Sequence, residues 1–399
     1  MNILVVGNGF DLAHGLPTKY WDFMMFIKSF KEMEHLSKDK LLKLPTFKRL
    51  NVDVQNYLTK DEVFNKDNRS DIVKELSKLI SNNVWIEYFN SKIQGYENKG
   101  WIDFESEISD VIQALDYYIE FSKYKLKNNK TDFEKIDNTK KVLMIEFLDC
   151  LKKTNKLEQG KTDIYYFYGD SLKDFIGELN NDLNKLIRCL EIYIGEVAEK
   201  VSEFNVFTKI QSLDIDKLIS FNYTNTYKNL YDFNSNKIEY DYLHGKADVN
   251  RDIKENNMVL GIDEYLNEDD RNNKLELVEF KKYFQRIYKK TGCKHKEWLE
   301  SASKSQKNQG DDFLREGIFL NNIYIYGHSL DITDKDILED LLSLPYTQTT
   351  IFYLDKRDYA QKISNMIKII GQDELTNSVY GRNPRIVFKE IENKKNLNN

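Results

Sequence analysis

Proline and glycine are scarce, with four and 17 residues in a chain of 399, which argues against a turn-rich β architecture and for long helices. Cysteine is scarcer still. Cys150, Cys189 and Cys293 are odd in number and far apart, so neither a disulfide framework nor a cysteine-based zinc site is expected. No Walker loop and no helix with paired histidines occurs, and no apolar run approaches the ~18 residues of a membrane span. Strand-like sequence begins at Asn2 or Ile3, with no basic leader and no signal-length apolar segment, and a cytoplasmic protein is expected. Charge of one sign is missing too: 59 Lys and Arg face 65 Asp and Glu for a net charge of -6, which disfavours a surface built for unspecific nucleic-acid binding.

What is present begins with MNILVVGNGFDLAHGLPTKYWDF. The apolar run of residues 3–6 reads as a short buried strand that stops at a glycine pair, as nucleotide-binding turns do in α/β proteins. A dehydrogenase fingerprint would put its third glycine at position 12, where Leu12 stands; here it is delayed to Gly15, before Leu16 and Pro17. Helical sequence follows. Residues 103–126 carry Phe104, Ile108, Val111, Ile112, Leu115 and Ile119 on one face. In residues 172–197, Leu172, Ile176, Leu179, Leu183, Leu186, Leu190 and Val197 form a heptad-like seam that must pack on another helix. The polar stretch 128–141 between them reads as a connecting loop.

From Lys217 short apolar runs return as KLISF, EYDYLHG, NMVLG, NIYIYG, TTIFYL and RIVFK, the later ones separated by helical stretches at 334–343 and 357–370. Strands alternating with helices predict a parallel sheet, whose first strand lies near residue 3 and whose others lie beyond 217. The expected organisation is an α/β domain of residues 1–22 and 215–390, a helical insertion of residues 23–214 and a frayed tail of residues 391–399.

In an open parallel sheet, ligands bind beyond the carboxyl ends of the strands, and short motifs stand at the expected ends here. Gly7, Asn8, Gly9, Phe10 and Asp11 follow the first strand, and Asn222 lies in SFNYTN after KLI. His244 and Gly245 follow DYL; Gly261, Ile262 and Asp263 follow MVL; Gly327, His328, Ser329 and Leu330 follow IYIY. Glycines let backbone N–H groups approach a pyrophosphate at a helix N-terminus. Taken singly, each motif has a plainer explanation. Gly7 and Gly9 make a tight turn, Asn222 an Asx-turn, His244 a buried histidine bonded to a carbonyl, and Gly327 with Ser329 a helix entry.

In order and spacing, the set resembles the nucleotide site of the sirtuins and related proteins that hydrolyse NAD. Those carry a G-A-G-hydrophobic loop whose next glycine opens a G-I-P, at the spacing of GNGFDLAHGLP. Their Asn after a strand resembles Asn222, and their His-Gly a little over twenty residues on resembles His244 and Gly245. A hydrophobic-Gly-acid segment has its counterpart in Gly261, Ile262 and Asp263, and a G-x-S-L matches Gly327 to Leu330. A closer resemblance is to the bacteriophage abortive infection family AbiH, carried by GNGFDLAHGLPTKYWDF, FNYTNTY, LHG, LGID, YGHSLD and the WIDFE of residues 101–105.

The AbiH resemblance implies phage defence in bacteria. The sirtuin resemblance implies a Rossmann-type parallel sheet with a large all-helical insertion, NAD as substrate, and Asn222 and His244 as catalytic residues. It places Gly7, Asn8, Gly9, Phe10, Asp11, Pro17, Thr18, Gly327 and Ser329 around the dinucleotide. Where sirtuins hang a zinc module, between the His-Gly and the hydrophobic-Gly-acid segment, this chain has only residues 246–260 and no cysteine, so neither a metal nor protein deacylation is expected. Asp11 replaces the usual serine, and Lys19 and Tyr20 lie where an arginine is usual.

Cleavage of the nicotinamide–ribose bond needs little acid catalysis, because the ring leaves as a neutral group. It needs a held ribose, a placed water and stabilisation of an oxocarbenium-like transition state. Asn222 can hold water or a ribose hydroxyl through its amide, and a neutral His244 can accept a proton. A phage-derived trigger and a second copy of the chain are candidate partners. Two other readings stand beside NAD hydrolysis. One is an effector acting on tRNA or DNA, supported by the seven Lys or Arg and interleaved aromatics of KKYFQRIYKKTGCKHK at residues 281–296. The other is a non-catalytic sensor of NAD or ADP-ribose. Asp263 and Asp331 receive no role.

Overall fold

The computed structural model describes residues 1–97, 100, 102–128, 138–157, 169–233, 237–266, 270, 274–306 and 319–391. The chain divides into two compact units: Met1–Leu16, Glu203–Lys246 and Lys290–Asn399 form the first, and Pro17–Ser202 with Ala247–Lys289 the second.

The first unit is built on six strands, β1 (Asn2–Val6), β2 (Lys217–Ser220), β3 (Glu239–Tyr242), β4 (Asn321–Tyr326), β5 (Thr347–Tyr353) and β6 (Ile386–Glu390). They form one sheet in the order β3-β2-β1-β4-β5-β6, with every neighbouring pair parallel. The N-terminal strand thus pairs with partners more than 200 residues away, Ile3 lying opposite both Lys217 and Ile323. The apolar run Ile3–Val6 follows from burial on both faces, the usual condition of a parallel sheet. Ile3 and Val5 join Ile219, Ile323, Ile325 and Ile351 in an aliphatic layer under the helices Lys294–Gln306, Lys335–Leu342 and Lys356–Ile370. Leu4 and Val6 join Phe10, Leu218, Tyr227, Tyr231 and Tyr326 in an aromatic layer on the opposite face. Chain progression reverses between β1 and β4, which makes the carboxyl edge there the topological switch point, the kind of place where α/β sheets hold ligands.

The second unit is helical through Pro17–Ser202, with Tyr20–Met33, Asp71–Ile80, Val84–Tyr96, Phe104–Asn128, Asn138–Lys153 and Gly169–Glu196 as its longest helices. Every seam residue from Leu172 to Val197 is buried, and that helix packs on Asp71–Ile80 and Val84–Tyr96. The stripe from Phe104 to Ile119 is buried as well. Polar groups in this core are tied: the Trp85 indole N–H donates to Leu179 O at 2.9 Å, and Asn83 caps the Val84–Tyr96 helix by accepting from the Trp85 and Ile86 N–H groups.

Three sequence expectations differ from what is seen. Residues 258–260 of NMVLG are fully buried, yet they form no strand of the sheet. Their backbone is tied instead by a side chain, since Gln285 Oε1 accepts from Leu260 N at 3.0 Å and its Nε2 donates to Leu260 O at 3.1 Å. The whole of Ala247–Lys289 accordingly groups with the helices, where the sequence kept it with the sheet. The expected loop at 128–141 is cut short because a helix already starts at Asn138. Residues 129–137 and the tail from residue 392 lie outside the described residues. Among the described residues no helix is long and apolar enough to cross a membrane.

Candidate active site

The opening glycines bring two loops together backbone to backbone. Gly7 N–H donates to Tyr326 O at 3.2 Å, Gly9 N–H to Gly327 O at 2.8 Å and Phe10 N–H to Gly7 O at 2.8 Å. A Cβ on Gly9 would stand 2.8 Å from Gly327 O, and one on Gly327 would stand 2.0 Å from Phe10 N. Gly327 also holds φ at +67°, which a side chain would oppose. Glycine is therefore needed at 9 and 327 for close approach, and three amides expected to face a pyrophosphate are engaged within the protein. Asn8 is exposed on this loop. Asp11 is buried, and its Oδ2 accepts from the Thr224 hydroxyl at 2.7 Å, which links the β1 loop to the β2 loop.

Asn222 completes that link. Its Nδ2 donates to Gly7 O at 2.9 Å and its backbone N–H donates to Ser220 Oγ at 3.1 Å. The first bond fixes the amide so that Oδ1 remains as its acceptor. Pro17 and Thr18 belong to the second unit, where the Tyr193 hydroxyl donates to Pro17 O at 2.8 Å.

The strongest chemical constellation lies at the ends of β3 and β4. His244 Nε2 is 3.9 Å from Asp334 Oδ1, and His328 Nε2 is 3.3 Å from Asp334 Oδ2. All three side chains are buried, and the Phe221 ring at the end of β2 packs on both imidazoles, with centroid distances of 5.7 Å to His244 and 4.1 Å to His328. The His328 tautomer is set by the backbone: Leu330 N–H donates to Nδ1 at 2.9 Å, so in the neutral ring the proton is on Nε2, the nitrogen nearer Asp334. This requires Leu330 to hold φ at +59°, an uncommon conformation for a buried leucine and a mark of a locally over-determined site.

The loop is fastened from the helix Lys356–Ile370. Lys362 Nζ donates to His328 O at 2.7 Å and Asn365 Nδ2 to Ser329 O at 3.0 Å. Burial pushes the Lys362 ammonium below its ordinary pKa, against the opposing pull of Asp358. Asp334 stands at the N-terminus of Lys335–Leu342 yet makes no capping bond with that helix; Asp331 caps the preceding turn instead, accepting from Thr333 N–H at 3.1 Å. The Asp334 carboxylate is thereby directed at the two histidines.

The site thus brings together Gly7, Gly9, Phe10, Asp11, Asn222, His244, Gly327 and Ser329 in the first unit, and adds His328 and Asp334, which the sequence did not select. His328 lay within a noted motif, whereas Asp334 resembled any acidic helix start. No group of three His, Cys, Asp or Glu arranged for a metal exists among the described residues.

The remaining motifs meet in the second unit. Lys282 Nζ lies 2.6 Å from Glu105 and 3.7 Å from Asp263, while Lys281 pairs with Glu264 at 2.8 Å. Trp101 lies outside the described residues. Lys289 donates to Met258 O, and burial pushes its ammonium down to about 8. Three cations of the basic run 281–296 are therefore internal to the fold.

A family model described as bacteriophage abortive infection AbiH matches residues 3–355 of this chain. No curated protein and no solved structure matches it.

Proposed function

The chain belongs to the bacteriophage abortive infection AbiH family, and we propose that it serves phage defence by hydrolysing NAD to nicotinamide and ADP-ribose at the Asn222, His244, Asp334 and His328 site. The observation that most supports this reading is one carboxylate set between two buried imidazoles at the carboxyl edge of a sheet ordered 3-2-1-4-5-6. That order is the one in which doubly wound, Rossmann-type sheets bind dinucleotides. Its likeness to the sirtuin site rests on the motif order alone.

In this mechanism His244 takes the proton of the attacking water, and Asp334 stabilises the imidazolium that forms. His328, locked as an N–H donor, orients Asp334. Asn222 Oδ1 accepts from a ribose hydroxyl and holds the sugar for in-line attack. Because the amides of Gly7, Gly9 and Phe10 are engaged, pyrophosphate binding through them requires the Gly9–Gly327 hydrogen bond to part. The reading therefore implies a resting protein of low activity that a phage-derived trigger raises.

Nicotinamide release from NAD, measured with and without lysate of infected cells, tests the proposal. Asn222→Ala and His244→Ala are each expected to lower triggered release by on the order of 10²-fold with melting temperature preserved. Full turnover in both variants would remove the mechanism. Zinc chelation is expected to have no effect. Labelled tRNA and DNA assayed in parallel address the nucleic-acid reading, which is weakened by the internal ion pairs of Lys281 and Lys282.

A further inference from the structure

The helical unit contains a cavity of about 390 Å³, within the range of small-molecule sites. Phe30 and Ile80, both buried, are its apolar lining, and charged groups from four separate segments close around them. Lys31 from Tyr20–Met33 and Lys153 from Asn138–Lys153 both face Glu87, at 3.5 and 3.6 Å. Lys66 faces Glu34 at 3.3 Å, and Glu34 is already held from behind by Arg69 at 2.6 Å.

The three lysines of the cavity wall, with Arg69 behind it, thus share two carboxylates, so the cluster as a whole carries two more positive than negative charges. The arrangement is also loose where it meets the cavity. Of the ion pairs, only the Arg69 contact has the length of a strong charge-assisted hydrogen bond; the three lysines stand 3.3–3.6 Å from their carboxylates, and Lys66 Nζ also donates to Glu34 O at 3.0 Å. The Arg69 guanidinium is buried, and its Nη2 has no hydrogen-bond partner among the described residues, so the cationic side of the cluster is under-satisfied even at its base.

We propose that this cavity binds an organic phosphate of nucleotide size, its dianionic phosphate taken by Lys31, Lys66 and Lys153 and its apolar or aromatic portion resting on Phe30 and Ile80. A single phosphate dianion matches the surplus of two charges in the cluster, and Phe30 with Ile80 offers an apolar surface beside it. The site lies wholly in the second unit and does not depend on the NAD reading.

Equilibrium binding of AMP to the full chain at low ionic strength tests it, with inorganic phosphate and adenosine as comparison probes. Lys66 and Lys153 have side chains that are 62% and 63% exposed, so Lys66→Gln with Lys153→Gln removes charge without opening the core. AMP is expected to bind saturably, inorganic phosphate more weakly and adenosine weaker still. The double variant is expected to lose at least about tenfold in AMP affinity and to keep its melting temperature. Binding to a nucleotide site in the other unit would survive the double substitution, so AMP affinity unchanged in that variant overturns the proposal. Adenosine binding as tightly as AMP also overturns it.

Discussion

Four of the five histidines are buried in the sheet-bearing unit, and they are held in two contrasting ways, each with partners of its own or on a shared carboxylate. Behind the β1 loop, His14 is held at both nitrogens: Nδ1 donates to Phe10 O at 2.6 Å and Nε2 accepts from the Tyr231 hydroxyl at 2.7 Å. Tyr231 in turn accepts from Phe207 N–H at 2.9 Å, so the chain of bonds ends on backbone at each side. Beside β3, His295 spends its Nδ1 on Asp241 at 2.8 Å, and the same carboxylate oxygen accepts its backbone N–H. At the strand ends, by contrast, His244 and His328 converge on Asp334 at distances longer than a good hydrogen bond. His14 is held at both nitrogens and His295 at Nδ1, each by partners of its own, whereas His244 and His328 share one carboxylate able to respond to a change of charge.

The largest effect that sharpens this contrast concerns pH. Burial pushes His14 down to about 4, against the backbone bond to Phe10 that raises it. Between about pH 6.5 and 4 the unfolded chain binds a proton at this residue that the folded chain does not, so its contribution to stability is complete above the unfolded value and is lost as pH falls toward 4. The loss amounts to about 3 kcal/mol. Urea unfolding across this range is expected to show that slope in the native chain and a shallower one in His14→Gln. Equal slopes would show that His14 is not the saturated partner described.

A smaller effect is expected at the other region. Asp334→Asn keeps the shape and removes the charge, and is expected to lower NAD cleavage by on the order of tenfold while moving the acid limb of the pH–rate profile downward, because His244 loses the carboxylate that favours its protonated form. A merely structural Asp334 would change the rate without moving the profile. The smallest effect is at Asp331, whose cap on the Ile332–Asp334 turn should be worth about 1 kcal/mol in thermal or urea unfolding of Asp331→Ala, with cleavage unchanged.

Much of this architecture was legible in the residues. The KLIS, EYDY, NIYIY, TTIFY and RIVFK runs are strands because β-branched and aromatic residues are bounded by turn signals, and the Leu172–Val197 spacing marks a buried helical seam. MVL misled because an apolar run records burial and not a ladder: Gln285 supplies the hydrogen bonds that a neighbouring strand would have given. The glycines were equally ambiguous, since close loop packing and phosphate approach both require a missing Cβ. Asp334 was illegible for a different reason. An aspartate at a helix start is ordinarily a cap, and only the three-dimensional arrangement reveals that Asp331 caps while Asp334 turns away.

The most direct test of the central claim is the NAD content of bacteria expressing this protein, followed through an infection that the protein aborts, beside cells carrying His244→Ala. The account predicts stable NAD before infection, a collapse during it with the native chain, and neither collapse nor protection with the variant. NAD held constant while the native chain still aborts the infection would contradict the account and leave the strand-end histidines without the role assigned to them.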